Sequence, residues 1–385
     1  MRNAVKRAGK LSWAGVTLVL VAACSSLNPF ASPPRNPPAA LAELKTTLNV
    51  RSAWSTGVGG AGVFAFSPAF ASGGVFAAAA DGSVTRLDPA NGHPVWRVNA
   101  DMRLTAGVGS DGHTVAVAGE KGTLLAFDAD GKLRWKAQTS SEILTAPAVG
   151  QGLVIVRSVD NRITAFDAES GARRWTVQRS APALTLRTAS GIVIAGPTAF
   201  VGLPGGRLLA LALGNGGPRW EISVGDPKGA TELERIADIS GAPVVIRRDV
   251  CAVSYQGRVG CFDAASGVAR WAKDLSSDVG LGADERFIFA ADEHGSVAAF
   301  AREGGASVWR NKQLANRRLS APVSFGRAVA VGDAQGYVHF LSREDGSFLA
   351  RVSTDGSPII SAPLVADTQV IFQTQSGTVV ALAIE

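Results

Sequence analysis

The chain has 385 residues, 46% hydrophobic and 18% charged, with a formal net charge of +6. Four of its 38 basic residues (Arg2, Lys6, Arg7 and Lys10) lie in the first 23 positions, so the remainder is close to neutral against 32 acidic residues. With no basic run interleaved with aromatics, nothing points to nucleic acid as a partner. A mature length of about 335 residues is large for one ordinary core, but a repeat fold adds core unit by unit.

The first element in chain order is a leader. Its basic start is followed by an apolar run, Leu11 to Ala23, too short and wrongly flanked for a spanning helix. The run ends Val21-Ala22-Ala23-Cys24, small residues before a cysteine, which matches the bacterial lipobox: cleavage before Cys24 and acylation of that residue. Several acyl chains at one site anchor stably, since each buried methylene contributes about 0.8 kcal/mol. Ser25, where inner-membrane lipoproteins usually carry Asp, points to the outer membrane. Next, Pro29, Pro33, Pro34, Pro37 and Pro38 crowd one stretch. Residues 24–48 therefore read as an extended, mobile linker reaching roughly 60–80 Å.

From residue 49 a repeat takes over. Tryptophans stand at 54, 96, 135, 175, 220, 271 and 309, and six of them follow a glycine by four positions: Gly92, Gly131, Gly171, Gly216, Gly267 and Gly305. The slot after Gly346 holds Ala350 instead. A second landmark is a turn glycine opening an apolar strand, as in Gly122-Thr123-Leu124 and Gly336-Tyr337-Val338, with Asn161 in the one non-glycine slot. A unit of about 40 residues with these signals fits a four-stranded propeller blade. The last unit, ending Val379-Val380-Ala381-Leu382, has no tryptophan strand after it, and Trp54 has no unit before it. The economical reading is an all-β, eight-bladed β-propeller of four-stranded antiparallel blades over residues 49–385. Trp54-Ser55-Thr56 then supplies the outer strand of the last blade and closes the ring; seven and nine are the neighbouring counts. Asp and Trp residues that recur in every unit are architecture rather than sites.

Two connections break the rhythm, between Trp175 and Trp220 and between Trp220 and Trp271. The first contains Leu184-Thr185-Leu186-Arg187, whose leucines could also be half-buried strand positions. The second contains Thr231-Glu232-Leu233-Glu234-Arg235 and then Asp238, and suggests a helical turn capped by Thr231. Long loops on a rigid repeat are where function tends to sit. Catalytic signals are missing. His93, His113, His294 and His339 have no metal-ligand spacing, and there is no Gly-x-Ser-x-Gly elbow. Gly57 to Gly62 fits a dinucleotide fingerprint, but Val63 to Pro68 reads as a strand where a helix is required. No cofactor, metal or catalytic residue is expected. Cys251 and Cys261 lie on the arms of one hairpin around Gln256-Gly257. A two-residue turn sets Cys261 opposite Ala252, and a turn one residue longer permits a disulfide. A disulfide and two separate core thiols both remain open.

The mature chain resembles the BamB family, lipoprotein subunits of the outer-membrane β-barrel assembly machinery. The repeat itself, Ala-x-Asp-x-x-x-Gly-x-x-x-Trp as in Ala165 to Trp175, is also similar to that of quinoprotein dehydrogenases. The lipobox at Cys24, the opening Trp54-Ser55-Thr56-Gly57-Val58-Gly59 and the two long connections favour the assembly family. The resemblance implies a non-catalytic scaffold at the periplasmic face of the outer membrane, with BamA as partner. Through BamA it implies the other Bam subunits, and it allows nascent barrel proteins as clients. The family's contact motif corresponds to Leu184, Leu186 and Arg187. Its second contact segment, an Asp-x-Asp, corresponds to Asp238 with Ser240 in place of the second carboxylate. The rival readings are a lipoprotein that binds cell-wall polymer and a quinone-dependent dehydrogenase.

Overall fold

A computed structural model describes residues 36–186 and 190–385; the lipobox Cys24 and the contact-motif Arg187 lie outside the described residues. Residues 38–385 form one compact body. It contains eight four-stranded antiparallel sheets, each a meander. Blades 1 to 7 span 69–99, 104–138, 148–178, 192–223, 239–274, 281–311 and 323–353. Blade 8 takes three strands from 364–384 and its outer strand, Val50–Gly57, from the other end of the body. The first strands of neighbouring blades touch all the way round, so they form the inner wall of the ring. Trp54 stands opposite Ala381 and Thr56 opposite Val379, which is the predicted closure.

The apolar core lies between blades. Leu153, Ile155 and Ile163 of blade 3, for example, pack against Ala199, Val201, Leu209 and Leu211 of blade 4. Strands such as Thr114–Gly119 are buried along their whole length, which is why they read as apolar on both faces.

The Gly–Trp repeat also acts between blades. Each of the seven tryptophans donates its indole N–H to a carbonyl in the next blade's turn, at 2.7–3.1 Å: Pro89, Ala129, Ala168, Leu213, Ala264, Arg302 and Arg343. The ring then lies on that turn's glycine. At Gly171, with φ +70°, a Cβ would come within 2.7 Å of the Trp135 ring. Only glycine satisfies both the left-handed backbone and the close approach. Ala350 is the eighth slot, and its exception has a cause: the outer strand of blade 8, Val50–Gly57, comes from the other end of the body, so no turn joins it to Thr378–Ile384 to receive an indole.

Instead, the segment leading into blade 8 crosses this seam. Residues 38–48 form no regular element, yet Thr47 and Leu48 donate their N–H groups to Leu349 O, and Leu48 is buried among Phe325, Phe340 and Leu349. The compact body thus includes residues 38–48, ahead of the boundary expected at 49.

One pairing left open is resolved and one local expectation is corrected. Cys251 stands directly opposite Cys261, not diagonal to it, and the pair forms a disulfide. The turn holds three residues, Tyr255-Gln256-Gly257, with Gln256 at φ 47°, and the extra residue brings the two cysteines into register. Val63 to Pro68 is not a strand but an irregular loop, held at the blade 8 to blade 1 seam by Gln375 Nε2 donating to Gly62 O and Phe64 O. No helix follows the glycines.

Candidate functional site

In a four-stranded meander the connections between blades and the turns joining second to third strands must lie on one face of the ring. Both long connections belong to this face, joining blades 3 and 4 (residues 179–191) and blades 4 and 5 (residues 224–238).

Residues 181–186 form no strand, so Leu184 and Leu186 are not sheet positions. The segment is tied down from behind. Asn161 Nδ2 donates to Ser180 O at 3.1 Å. Asp238 accepts the N–H of Leu186 on Oδ2 at 2.6 Å and the N–H of Gly205 on Oδ1 at 2.9 Å. One carboxylate, at the end of the connection into blade 5, thus fixes the connection between blades 3 and 4 and the turn inside blade 4. Charge-assisted bonds of this kind are about twice as strong as neutral ones.

Asp238 is only 2% exposed. Burial pushes its carboxyl above the usual range, while the two N–H bonds and the positive charge of Arg157 pull the other way. Arg157 is itself partly buried and is shifted downward by desolvation against the pull of Asp238. Its guanidinium donates to Asn161 Oδ1 at 3.0 Å. A carboxylate so enclosed is a positioning group for the 184–187 connection and presents no surface to a partner.

Apolar side chains are left in solvent on the same sector. Leu184 is 43% exposed, Val159 44% and Leu233 67%. Leu233 is carried by the Thr231–Arg235 turn, which is a reciprocal capping box without a helix behind it. Glu234 Oε2 accepts the N–H groups of Thr231 and Ala230, and Thr231 Oγ1 accepts that of Glu234. These bonds from the Thr231 and Ala230 backbone hold the Glu234 carboxyl below the ordinary range. The turn is therefore fixed with its leucine outward.

Ser240 has a different explanation from a missing second carboxylate. Its hydroxyl donates to Ser277 O, in the connection into the next blade, at 2.7 Å. Thr105 does the same to Ile143 O and Ser190 to Ile239 O. These three hydroxyls, at or just before the first strands of blades 2, 4 and 5, tie those blades to the next blade or to the connection leading into it. A repeat would have signalled these bonds, but Ser320 and Ser361, which share a Ser-Ala-Pro pattern, donate within their own blades, to Ala321 O and Gln373 O. Arg157 and the buried cluster of Arg317, Asp333 and His339 had no such signal.

Under the connection lies a cavity of about 50 Å³ bordered by Leu144, Arg157, Val159, Leu186 and Asp238, far smaller than sites for organic ligands. On the opposite face a cleft of about 430 Å³ is lined by Arg247, Arg248, Arg270 and Arg302. Arg270 and Arg302 are bonded to Asp249, and Arg247 is paired with Glu285. What the upper sector offers is a rigid rim with protruding leucines, a surface suited to a protein partner.

Comparison with known proteins agrees with this geometry. A family model described as "Outer membrane protein assembly factor BamB" matches residues 80–311 and 293–385. The chain is 45% identical over 383 residues to outer membrane protein assembly factor BamB of Bordetella pertussis, covering 99% of this chain and 98% of that one. It is 43% identical over 379 residues to the protein of the same name from Burkholderia pseudomallei, with 98% of each chain covered. Among solved structures, BamB from Moraxella catarrhalis superimposes with a TM-score of 0.80 at 28% identity, covering 87% of this chain and 100% of that one. A quinohemoprotein alcohol dehydrogenase from Comamonas testosteroni reaches 0.69 at 15% identity over 87% of this chain and 76% of its own, a likeness of fold alone.

Proposed function

The chain belongs to the family of outer membrane protein assembly factor BamB, a family of assembly factors and not of enzymes, and from that membership we propose that it is a scaffold of the β-barrel assembly complex whose 184–187 connection binds BamA. Through BamA it joins the other subunits and holds nascent barrel proteins near the site of insertion. Its leader, residues 1–23, is removed and Cys24 is acylated, so that the propeller stands at the periplasmic face of the outer membrane.

The observation that carries this reading is the pair of hydrogen bonds that Asp238 accepts from the Leu186 and Gly205 amides. A loop with two leucines and an arginine is ordinarily a poor binder, because ordering it costs entropy at the moment of contact. Here the ordering of the chain up to Leu186 is built into the fold. Leu184, Leu186 and Arg187 act as the contact group, Arg187 being of the residue type most often found at binding hot spots, and Asp238 acts through them. Leu233 extends the same apolar surface.

The test is co-isolation from outer membranes. The lipid-anchored chain is expected to co-purify with tagged BamA, and Leu184→Asp to reduce the yield without changing the melting temperature of the purified propeller. A wild-type chain that reaches the outer membrane, folds and does not co-purify would overturn the reading.

A further inference from the structure

We propose that the edge of blade 7 is a binding groove for an extended polypeptide, and that its occupant is the chain's own residues 39–48, held there as a fixed strap. Three arginines far away in sequence each donate to a main-chain carbonyl of this segment. Arg317 bonds Ala39 O at 2.9 Å, Arg351 bonds Ala42 O at 3.2 Å, and Arg327 bonds Thr47 O at 2.6 Å. Main-chain pairs add to them: Ala39 N–H to Ala315 O, and Thr47 and Leu48 N–H to Leu349 O. Two leucines supply apolar anchors, Leu48 in the core between blades 7 and 8 and Leu41 against the cluster of Phe287, Leu314 and Leu319. Recognition through carbonyls and two leucines suits an extended chain and asks little of the other side chains, which fits the solvent-facing Glu43, Lys45 and Thr46.

The groove is held from within the propeller. Arg317 is almost fully buried, and its Nε is bonded to Asp333 at 2.7 Å. Asp333, completely buried, also meets His339 Nε2 at 2.7 Å, and Arg351 leans on the other imidazole nitrogen. Two of the three arginines are thus oriented by one buried carboxylate–imidazole pair, leaving an Nη on each to reach the strap.

Two consequences follow for an anchored protein, and they rest on the lipobox reading of Cys24. The free tether shrinks to the residues between 24 and 38, which cannot exceed roughly 50 Å when fully extended. The strap also begins at Ala39, whose N–H is bonded to Ala315 O in the connection between blades 6 and 7, on the face that carries the two long connections. The tether therefore leaves from the rim of the candidate contact face.

Hydrogen exchange on the full mature chain tests the proposal. The amides of Ala39, Thr47 and Leu48 should exchange at least about 100-fold more slowly than in a synthetic peptide of residues 36–50. Replacing the two more exposed clamps, Arg327→Ala with Arg351→Ala, should return the strap to within about tenfold of the peptide while the amides of blade 7 stay protected. Trypsin cleavage after Lys45 should accelerate in parallel. Strap amides that exchange at the peptide rate in the wild-type chain would overturn the proposal. So would protection unchanged in a double variant that melts at the wild-type temperature. Neither result bears on whether the 184–187 connection binds BamA, so the two readings fail separately.

Discussion

The propeller departs from its own repeat in two places, the seam between blades 7 and 8 and the sector of blades 3 to 5. At the seam a tryptophan is missing, and the gap is filled from within: Leu48 is buried, and three arginines bind the passing backbone. In the other sector two connections are too long, and the surplus is braced from behind by Asp238 and Glu234 but left open in front, with Leu184 and Leu233 exposed. A departure that the molecule repairs internally is architecture. One that it stiffens and then leaves facing solvent is where a partner is to be expected.

The contrast can be broken from either side. The largest effect should come from deleting residues 38–57, which removes the strap and the outer strand of blade 8. The ring then has an open edge, and a single cooperative thermal transition should be lost, as circular dichroism would register. Asp333→Ala should cost about 3–5 kcal/mol in denaturant unfolding, because it strands Arg317 and His339 in the interior without their carboxylate. Gly171→Ala, which forces a Cβ against the Trp135 ring at a left-handed backbone position, should cost about 1–3 kcal/mol.

Acid should act on the seam. Burial holds His339 below the ordinary imidazole value, with Asp333 opposing and Arg351 and Arg317 reinforcing the shift. The unfolded chain therefore binds a proton that the folded one refuses, and stability should fall as pH drops below about 6.5, by at most about 1.4 kcal/mol per pH unit. Burial works against the Asp333 carboxylate, but hydrogen bonds from His339, the Tyr337 amide and Arg317 keep it below the usual range. Its contribution is also lost toward acid, through its depressed value. His339→Asn should flatten the slope between about pH 6.5 and 5, measured by denaturant midpoints across that range. The smallest effect on stability, within about 0.5 kcal/mol, is expected for Leu233→Ser, which should nonetheless weaken partner binding. A Leu233→Ser variant that is destabilised by several kcal/mol would mean that the open sector is as structural as the seam.

Sequence carried the architecture because six of the eight blades repeat the same constraints: a left-handed glycine, an indole four residues on, and a turn before an apolar strand. It also located the ring closure, since an unpaired last unit and an orphan tryptophan strand require each other. The cysteine pairing was open because it depends on one residue of turn length, which Gln256 can supply with a left-handed conformation that is usually glycine's. The strap was illegible for another reason. The prolines just ahead of it suggest a mobile linker, and the arginines that seat it lie some 280 to 310 positions away. For the candidate site, the sequence named the residues but not their division of labour. That Asp238 faces inward onto two amides, and that Ser240 belongs to a blade-to-blade stitch, are facts of packing that no local pattern states.

The measurement that bears most directly on the scaffold account is a calorimetric titration of the soluble chain, lacking residues 1–24, with the purified periplasmic domains of BamA from the same organism. Arg187→Glu and Asp238→Ala would be titrated beside it, after each is shown to melt as a folded propeller. The account predicts binding by wild type, a loss of at least about 30-fold for Arg187→Glu, corresponding to about 2 kcal/mol, and a smaller loss for Asp238→Ala as its loop becomes disordered. Full affinity in a folded Arg187→Glu, or no binding by the folded wild type, would contradict it.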